Sequence, residues 1–161
     1  MSRSFRVVDD FVRFTIDPNH PLPYLDIQYC RAMRFFAKKV MSSRKKDLDE
    51  MYKVLTSDSD RLLALNRVCA DMLLYKFTVW RFIVLVALIG HFAKSSPLCE
   101  MPDNRWILNA SEFIIIEQDI WSELDENYER YEVTKARCWC VAVFLSVAFL
   151  LWFMVHEYKL K

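Results

Sequence analysis

Glycine is almost missing from this chain: one residue in 161, beside five prolines. Hairpins and sheet corners lean on glycine for positive-φ turns, so this scarcity argues against a sheet-rich fold. The expected class is all-α. An excess of one charge is missing too. Lys and Arg number 22 against 21 Asp and Glu, a formal net charge of +1. Basic and acidic residues alternate, which gives no nucleic-acid surface. Cysteine is present but unpatterned: Cys30, Cys69, Cys99, Cys138 and Cys140 are odd in number and lack zinc-site spacing. Reduced thiols in a cytosolic chain are expected. His20, His91 and His156 lie far apart, and no glycine-rich phosphate loop exists. Neither catalysis nor a metal or other cofactor is therefore expected. No apolar segment follows Met1, so no secretory signal is expected. Asn109-Ala110-Ser111 is a glycosylation acceptor only if that segment enters the secretory lumen.

What the chain does have is hydrophobic runs. Hydrophobic residues make up 54% and charged ones 27%, within the size of one domain plus an appendage. Val79 to Ala93 (VWRFIVLVALIGHFA) carries an unbroken apolar run from Phe82 to Ile89. A bilayer span needs about 20 residues, whereas stretches of about 10–14 mark buried core helices. A helix apolar on nearly every face must be wrapped by others. Arg81 is the misfit, because a charge on a core helix is costly unless it meets a partner or solvent.

Periodicity supplies the wrapping. Phe5, Val8, Val12 and Ile16 form an amphipathic helix over 3–17, stopped by Asp17-Pro18. A stiff connector, Pro18–Pro23, leads to a second helix, Leu25–Val40, striped by Tyr29, Met33, Phe36 and Val40. Arg44-Lys45-Lys46 reads as a solvated turn before a short helix, Asp47–Leu55, with Leu48, Met51, Tyr52 and Leu55 inward. Thr56-Ser57-Asp58 caps the next helix, which carries Leu62, Leu65, Val68, Cys69, Met72 and Leu73 to about Tyr75. After the central helix, closed by Ser95-Ser96-Pro97, further helices are expected from Asp103 to Glu117 and across Trp121, Leu124, Tyr128 and Tyr131.

The second long run, Cys138 to Val155, has 18 residues and no charge. A helix of that length covers about 27 Å at 1.5 Å per residue, enough for a thin bilayer. Lys135 and Arg137 flank one end and His156, Lys159 and Lys161 the other; Trp139, Trp152 and Tyr158 suit the interfaces. The expected organisation is a helical domain over 1–134 and a membrane anchor over 135–161. A sole span at the C-terminus implies a tail anchor, with the helical domain in the cytosol. Cys138 and Cys140 stand where palmitate could attach.

Particular residues then resemble the motifs of the Bcl-2 family of apoptosis regulators. Met72 to Val84 (MLLYKFTVWRFIV) resembles the first homology motif, in which Asn-Trp-Gly-Arg begins the central helix. Thr78-Val79-Trp80-Arg81 stands there, with the arginine kept, the tryptophan one position late and the glycine absent. Trp121, Tyr128 and Tyr131 hold the spacing of the second motif, with Glu126-Asn127 in place of its paired glycines. Tyr29 to Phe36 stands for the third motif, but Met33 and Arg34 replace its small residue and aspartate. The order covers nearly the whole chain, and its short first loop resembles a virus-encoded member more than a cellular one.

The resemblance implies a Bcl-2-like bundle around a central hydrophobic helix, with a C-terminal transmembrane helix. It implies a groove that takes an amphipathic helix, the BH3 ligand of pro-apoptotic proteins, with Arg81 pairing a ligand aspartate. Counting turns from Arg81 places Val84 and Leu88 in that groove, Val68 and Met72 on the preceding helix, and Phe36, Val40, Tyr52 and Leu55 on the far wall. The implied function is anti-apoptotic: the chain sequesters BH3-only proteins and executioner relatives, and by extension autophagy proteins with a similar helix. Its implied place is the cytosolic face of the mitochondrial outer membrane or endoplasmic reticulum. Two rivals stand beside this reading. One is a two-span membrane protein or channel, against which the charges flanking Phe82–Ala93 weigh. The other is a pro-apoptotic pore-former of the same fold.

Overall fold

The computed structural model describes residues 2–55, 57–74, 78–95 and 119–158, without the side chains at 58, 62, 66, 69, 70, 72–74, 119 and 144–158. The expected helix over 103–117 and the Asn109 triplet lie outside the described residues. The described chain is helical and contains no strand: α1 Arg3–Ile16, α2 Ile27–Ser43, α3 Lys45–Val54, α4 Asp58–Leu74, α5 Val79–Ser95 and α6 Asp119–Tyr158. Two compact units separate, Met1–Asp125 and Glu126–Lys161.

In α1 the Ser2 hydroxyl caps the helix by accepting the Phe5 N–H at 3.2 Å. The helix stops at Asp17, extended ahead of Pro18. Phe5, Val8 and Val12 are buried as their spacing predicts, and Val7 and Phe11 join them. The connector is turned by Asp17, whose carboxylate accepts the Asn19 N–H at 2.9 Å. Asp26 ends it with φ 58°, the left-handed region, and its carboxylate accepts Arg3 Nε at 2.9 Å and Arg6 Nε at 2.8 Å. Leu25, expected in α2, therefore lies outside it and exposed.

Three ties set the direction of α2. Arg3 meets Asp26, Arg34 meets Asp10, and Lys38 lies over the Phe14 ring. The sequence offset between partners hardly changes from one tie to the next, so α1 and α2 run parallel. Arg34 is the strongest of them. Its Nε and Nη2 donate to the two Asp10 carboxylate oxygens at 2.9 and 2.6 Å, and its remaining N–H groups reach the carbonyls of His20 and Pro21. Asp10 is nearly fully buried. A fork of this kind holds a buried carboxylate at full hydrogen-bond satisfaction.

The basic turn is shorter than expected, because Lys45 and Lys46 already belong to α3 and only Arg44 lies between the helices. No residue of α3 is fully buried, so its apolar side chains pack at the edge. In α4, Ser57 and Asp60 cap reciprocally: Ser57 Oγ accepts the Asp60 N–H at 3.1 Å, and Asp60 Oδ2 accepts the Ser57 N–H at 3.2 Å.

The expected central helix is α5. Thr78 begins it, its carbonyl accepting the Phe82 N–H at 3.1 Å. Every residue from Leu85 to Ala93 is buried. α1 and α2 pack on α5 most extensively, and α3 and α4 also touch it. Gly90 marks the closest approach of α1. A β carbon there would stand 2.6 Å from Phe11 Cε1 and 3.1 Å from Thr15 Cγ2. Trp121 and Leu124 at the start of α6 complete the core, with the Trp121 ring edge-on to Phe82 and Tyr29 at 5.5 and 5.4 Å.

The amphipathic element and the apolar tail, expected as separate pieces, form one helix of 40 residues. No glycine or proline interrupts them, and Glu126–Arg130 adds an i,i+4 ion pair. Among the described residues no helix is long and apolar enough to cross a membrane. Most of the expected span, from position 144 onward, lies beyond the described side chains.

Candidate ligand groove

Among the described residues, α5 turns two large apolar side chains outward near its start. Trp80 is 51% exposed and Val84 45%, while Arg81 between them is half-buried. Positions four apart on a helix lie one above the other, so Trp80 and Val84 form a continuous apolar strip with Arg81 at its margin. Phe36 of α2 walls the strip, its ring edge-on to Trp80 at 5.5 Å. Val40, one turn further along α2, is half-buried. On α4, Leu65 is buried and Val68 half-buried, and this helix packs against α5.

The other expected groove residues divide. Leu88 continues the strip by spacing, but it is only 5% exposed and belongs to the core. Leu55 is half-buried at the end of α3. The side chain of Met72 lies outside the described residues. Tyr52 sits at the opposite end of α5: its hydroxyl donates to the Ser95 carbonyl at 2.7 Å, and its ring meets His91 and Phe92. Trp80 and Phe92 are twelve residues apart, which along a helix is about 18 Å. Tyr52 therefore does not share a pocket with Trp80 and Val84. Of the motif residues, Trp121 is buried core, whereas Tyr128 and Tyr131 are half-buried on the second unit's part of α6.

Trp80 is the exposed apolar residue beside Arg81 that turn counting from Arg81 did not place in the groove. Its signal was available, since it precedes Val84 by one helical turn.

The strip can do binding but offers little chemistry. It combines apolar area, one aromatic ring standing half out of the surface and one guanidinium at the edge. Among the described residues no three His, Cys, Asp or Glu side chains gather as metal ligands would. Cys30 is buried on α2, where the neutral thiol is favoured over the thiolate. Burial, with the charges of Asp10 and Asp26 beside it, pushes its thiol up to about 12. No family model, curated protein or solved structure matches this chain.

Proposed function

We propose that this chain is an anti-apoptotic Bcl-2-like protein that binds the BH3 helices of pro-apoptotic proteins on the α5 strip. The observation that carries the reading is the exposure of Trp80 and Val84 on a helix otherwise buried from Leu85 to Ala93. A core helix that turns apolar side chains outward at i and i+4 presents the spacing an amphipathic ligand helix uses for its own anchors. Phe36 supplies an aromatic wall and Arg81 a cation at the margin, the element that reads a ligand carboxylate. Function here is capture alone: the ligand helix is held away from its other partners.

Membrane anchoring through residues 138–155 completes the proposal. α6 continues without a break through this segment, and Trp139, Val141 and Val143 stand exposed along its first turns. Apolar side chains so placed suit insertion into lipid.

The test is calorimetry of the full chain, in detergent or nanodiscs, against a panel of BH3 peptides. At least one peptide should bind with a Kd of about 1 μM or tighter. The same peptide with its aspartate replaced by alanine should bind several-fold more weakly. Absence of binding across the panel overturns the proposal. Cytochrome release from isolated mitochondria by the added protein would instead support a pore-forming member.

A further inference from the structure

Charge is balanced over the whole chain but not along α2. Of 22 basic residues set against 21 acidic ones, seven fall within residues 27–46, a stretch with no Asp or Glu. Arg34 is engaged by Asp10 and Arg44 by Asp47. The other five, Arg31, Lys38, Lys39, Lys45 and Lys46, are exposed and make no ion pair among the described residues. With 3.6 residues per turn, Ile27, Arg31, Lys38, Lys39 and Ser42 fall within one third of the circumference of α2. Cys30, Met33 and Ala37 lie on the opposite side and are buried. The outer face of α2 is therefore a cationic stripe, continued by Lys45 and Lys46 at the start of α3.

The stripe begins at an apolar tip. Tyr24 is 96% exposed, Leu25 59% and Ile27 39%. The tip is held from both sides. Arg34 donates to the carbonyls of His20 and Pro21 at 2.8 and 3.0 Å, and the Asp26 carboxylate accepts from Arg3 and Arg6. A loop pinned by three arginines thus turns large apolar side chains to solvent. Folding stability asks for neither feature. Lys45 and Lys46 stand in the first turn of α3, the positive pole, where cations are disfavoured. Surface helices gain from acids interleaved with bases at i,i+4, and this face has none.

We propose that the Tyr24–Leu25 tip and the outer face of α2 form a docking surface for an anionic lipid bilayer. The cations are drawn to a negative surface once within a Debye length, about 8 Å at physiological salt. The tip then inserts among the headgroups, where a tyrosine ring with an apolar body and a polar end is at home. A cationic face joined to exposed apolar side chains is the composition of elements that lie in a membrane interface. The tip is what favours lipid over nucleic acid or an acidic protein, either of which would engage the cations and leave Tyr24 and Leu25 in water. From Ile27 to Ser42 the stripe runs about 22 Å, long enough to meet several headgroups at once. The surface needs neither helix capture at the α5 strip nor anchoring through residues 138–155.

The test floats the full chain on vesicles of phosphatidylcholine alone and of phosphatidylcholine with phosphatidylserine. The bound chain is then acetylated, and peptide mass spectrometry reads Lys38 and Lys45 as reporters. Both should react about fivefold more slowly on the phosphatidylserine vesicles, and high salt should restore the rate. The triple variant R31Q/K39Q/K46Q should abolish this protection. R130Q/K135Q/R137Q, which removes as much charge from the second unit, should keep it. Tyr24→Ser with Leu25→Ser should at least halve it. All these side chains are exposed or half-buried, and the helical circular dichroism signal checks that each variant folds. Equal acetylation on the two lipids overturns the proposal, as does equal loss in the two charge variants or no flotation on either vesicle. Stripe-dependent binding of a single-stranded oligonucleotide without lipid-dependent protection overturns lipid as the partner. Anchoring is read separately: a chain that floats only with phosphatidylserine supports the docking surface and counts against the 138–155 anchor. Flotation on both lipids without protection does the reverse.

Discussion

Gly90 and Phe11 approach so closely that a β carbon on Gly90 would stand 2.6 Å from the Phe11 ring. Phe11 is completely buried, so its ring can move aside only by displacing packed neighbours. Gly90→Ala should therefore destabilise the bundle. Overpacking costs about 1–3 kcal/mol, while replacing a helical glycine returns about 1 kcal/mol of propensity. The net expectation is a loss of up to about 2 kcal/mol, read as a lowered Tm. Gly90→Ala with Phe11→Leu should regain much of that loss, because the two sites share one contact. An unchanged Tm in the single variant would remove the close-packing account.

Arg34→Ala should be among the most damaging single changes in the first unit. It strands the buried Asp10 carboxylate and releases the carbonyls of His20 and Pro21. Removing one member of a buried pair costs about 3–5 kcal/mol, whereas replacing both with apolar side chains costs far less. Arg34→Met with Asp10→Leu should thus melt above Arg34→Ala alone. Chemical denaturation of the three proteins checks the order.

These two contacts show where sequence reading stops. The bounds of α5 were legible, because its apolar stretch opens at Val79 and meets Ser95-Ser96-Pro97. The core stripe of α1 was legible from its period. Asp10 and Arg34 lie on different helices, and their pairing follows only once α1 and α2 run parallel. Gly90 likewise looks like a weak point in a helix until α1 is laid across it. Val84, three residues on from Arg81, is exposed. Leu88 shares that spacing, yet it is covered by neighbours whose positions no spacing reveals. Tyr52 packs at the other end of α5, because its reach to Ser95 depends on how α3 returns along α5.

His91 sets a pH dependence. Burial lowers its pKa below the ordinary value near 6.5, with Lys94 and Lys45 adding to that effect and Asp49 and a backbone hydrogen bond to Leu48 opposing it. The folded state then holds a neutral imidazole that the unfolded chain would protonate. Stability is fully present above about pH 6.5 and falls as the pH drops from there through the folded-state pKa. Denaturant midpoints in phosphate-free buffer should decline over that window for the native chain, and His91→Asn should flatten the decline. Identical slopes would contradict a buried neutral His91.

At the α5 strip, binding and folding should separate. Trp80→Ala and Val84→Ala remove half-exposed side chains, so Tm should shift little. Each should weaken a captured BH3 peptide by about 1–2 kcal/mol, and Arg81→Ala should weaken it at least several-fold. Calorimetry alongside thermal melts makes the comparison. A variant that loses Tm in proportion to affinity would place its residue in the core.

The cysteines should label unequally. Cys30 is buried with its thiol raised to about 12, whereas Cys138 and Cys140 are exposed. A maleimide added briefly to the native chain should modify Cys138 and Cys140 and spare Cys30 until denaturant is added, as peptide mass spectrometry would show. Rapid native labelling of Cys30 would contradict the packing of α1 on α2.

The outward-facing Trp80 and Val84 also govern how the unliganded chain behaves at high concentration. An exposed apolar strip is a contact that a second copy can cover, and the tendency grows with protein concentration. Self-association and ligand capture then compete for the same few side chains. A helix that fills the strip should keep the chain dispersed where the free protein clusters, so colloidal behaviour becomes a readout of occupancy.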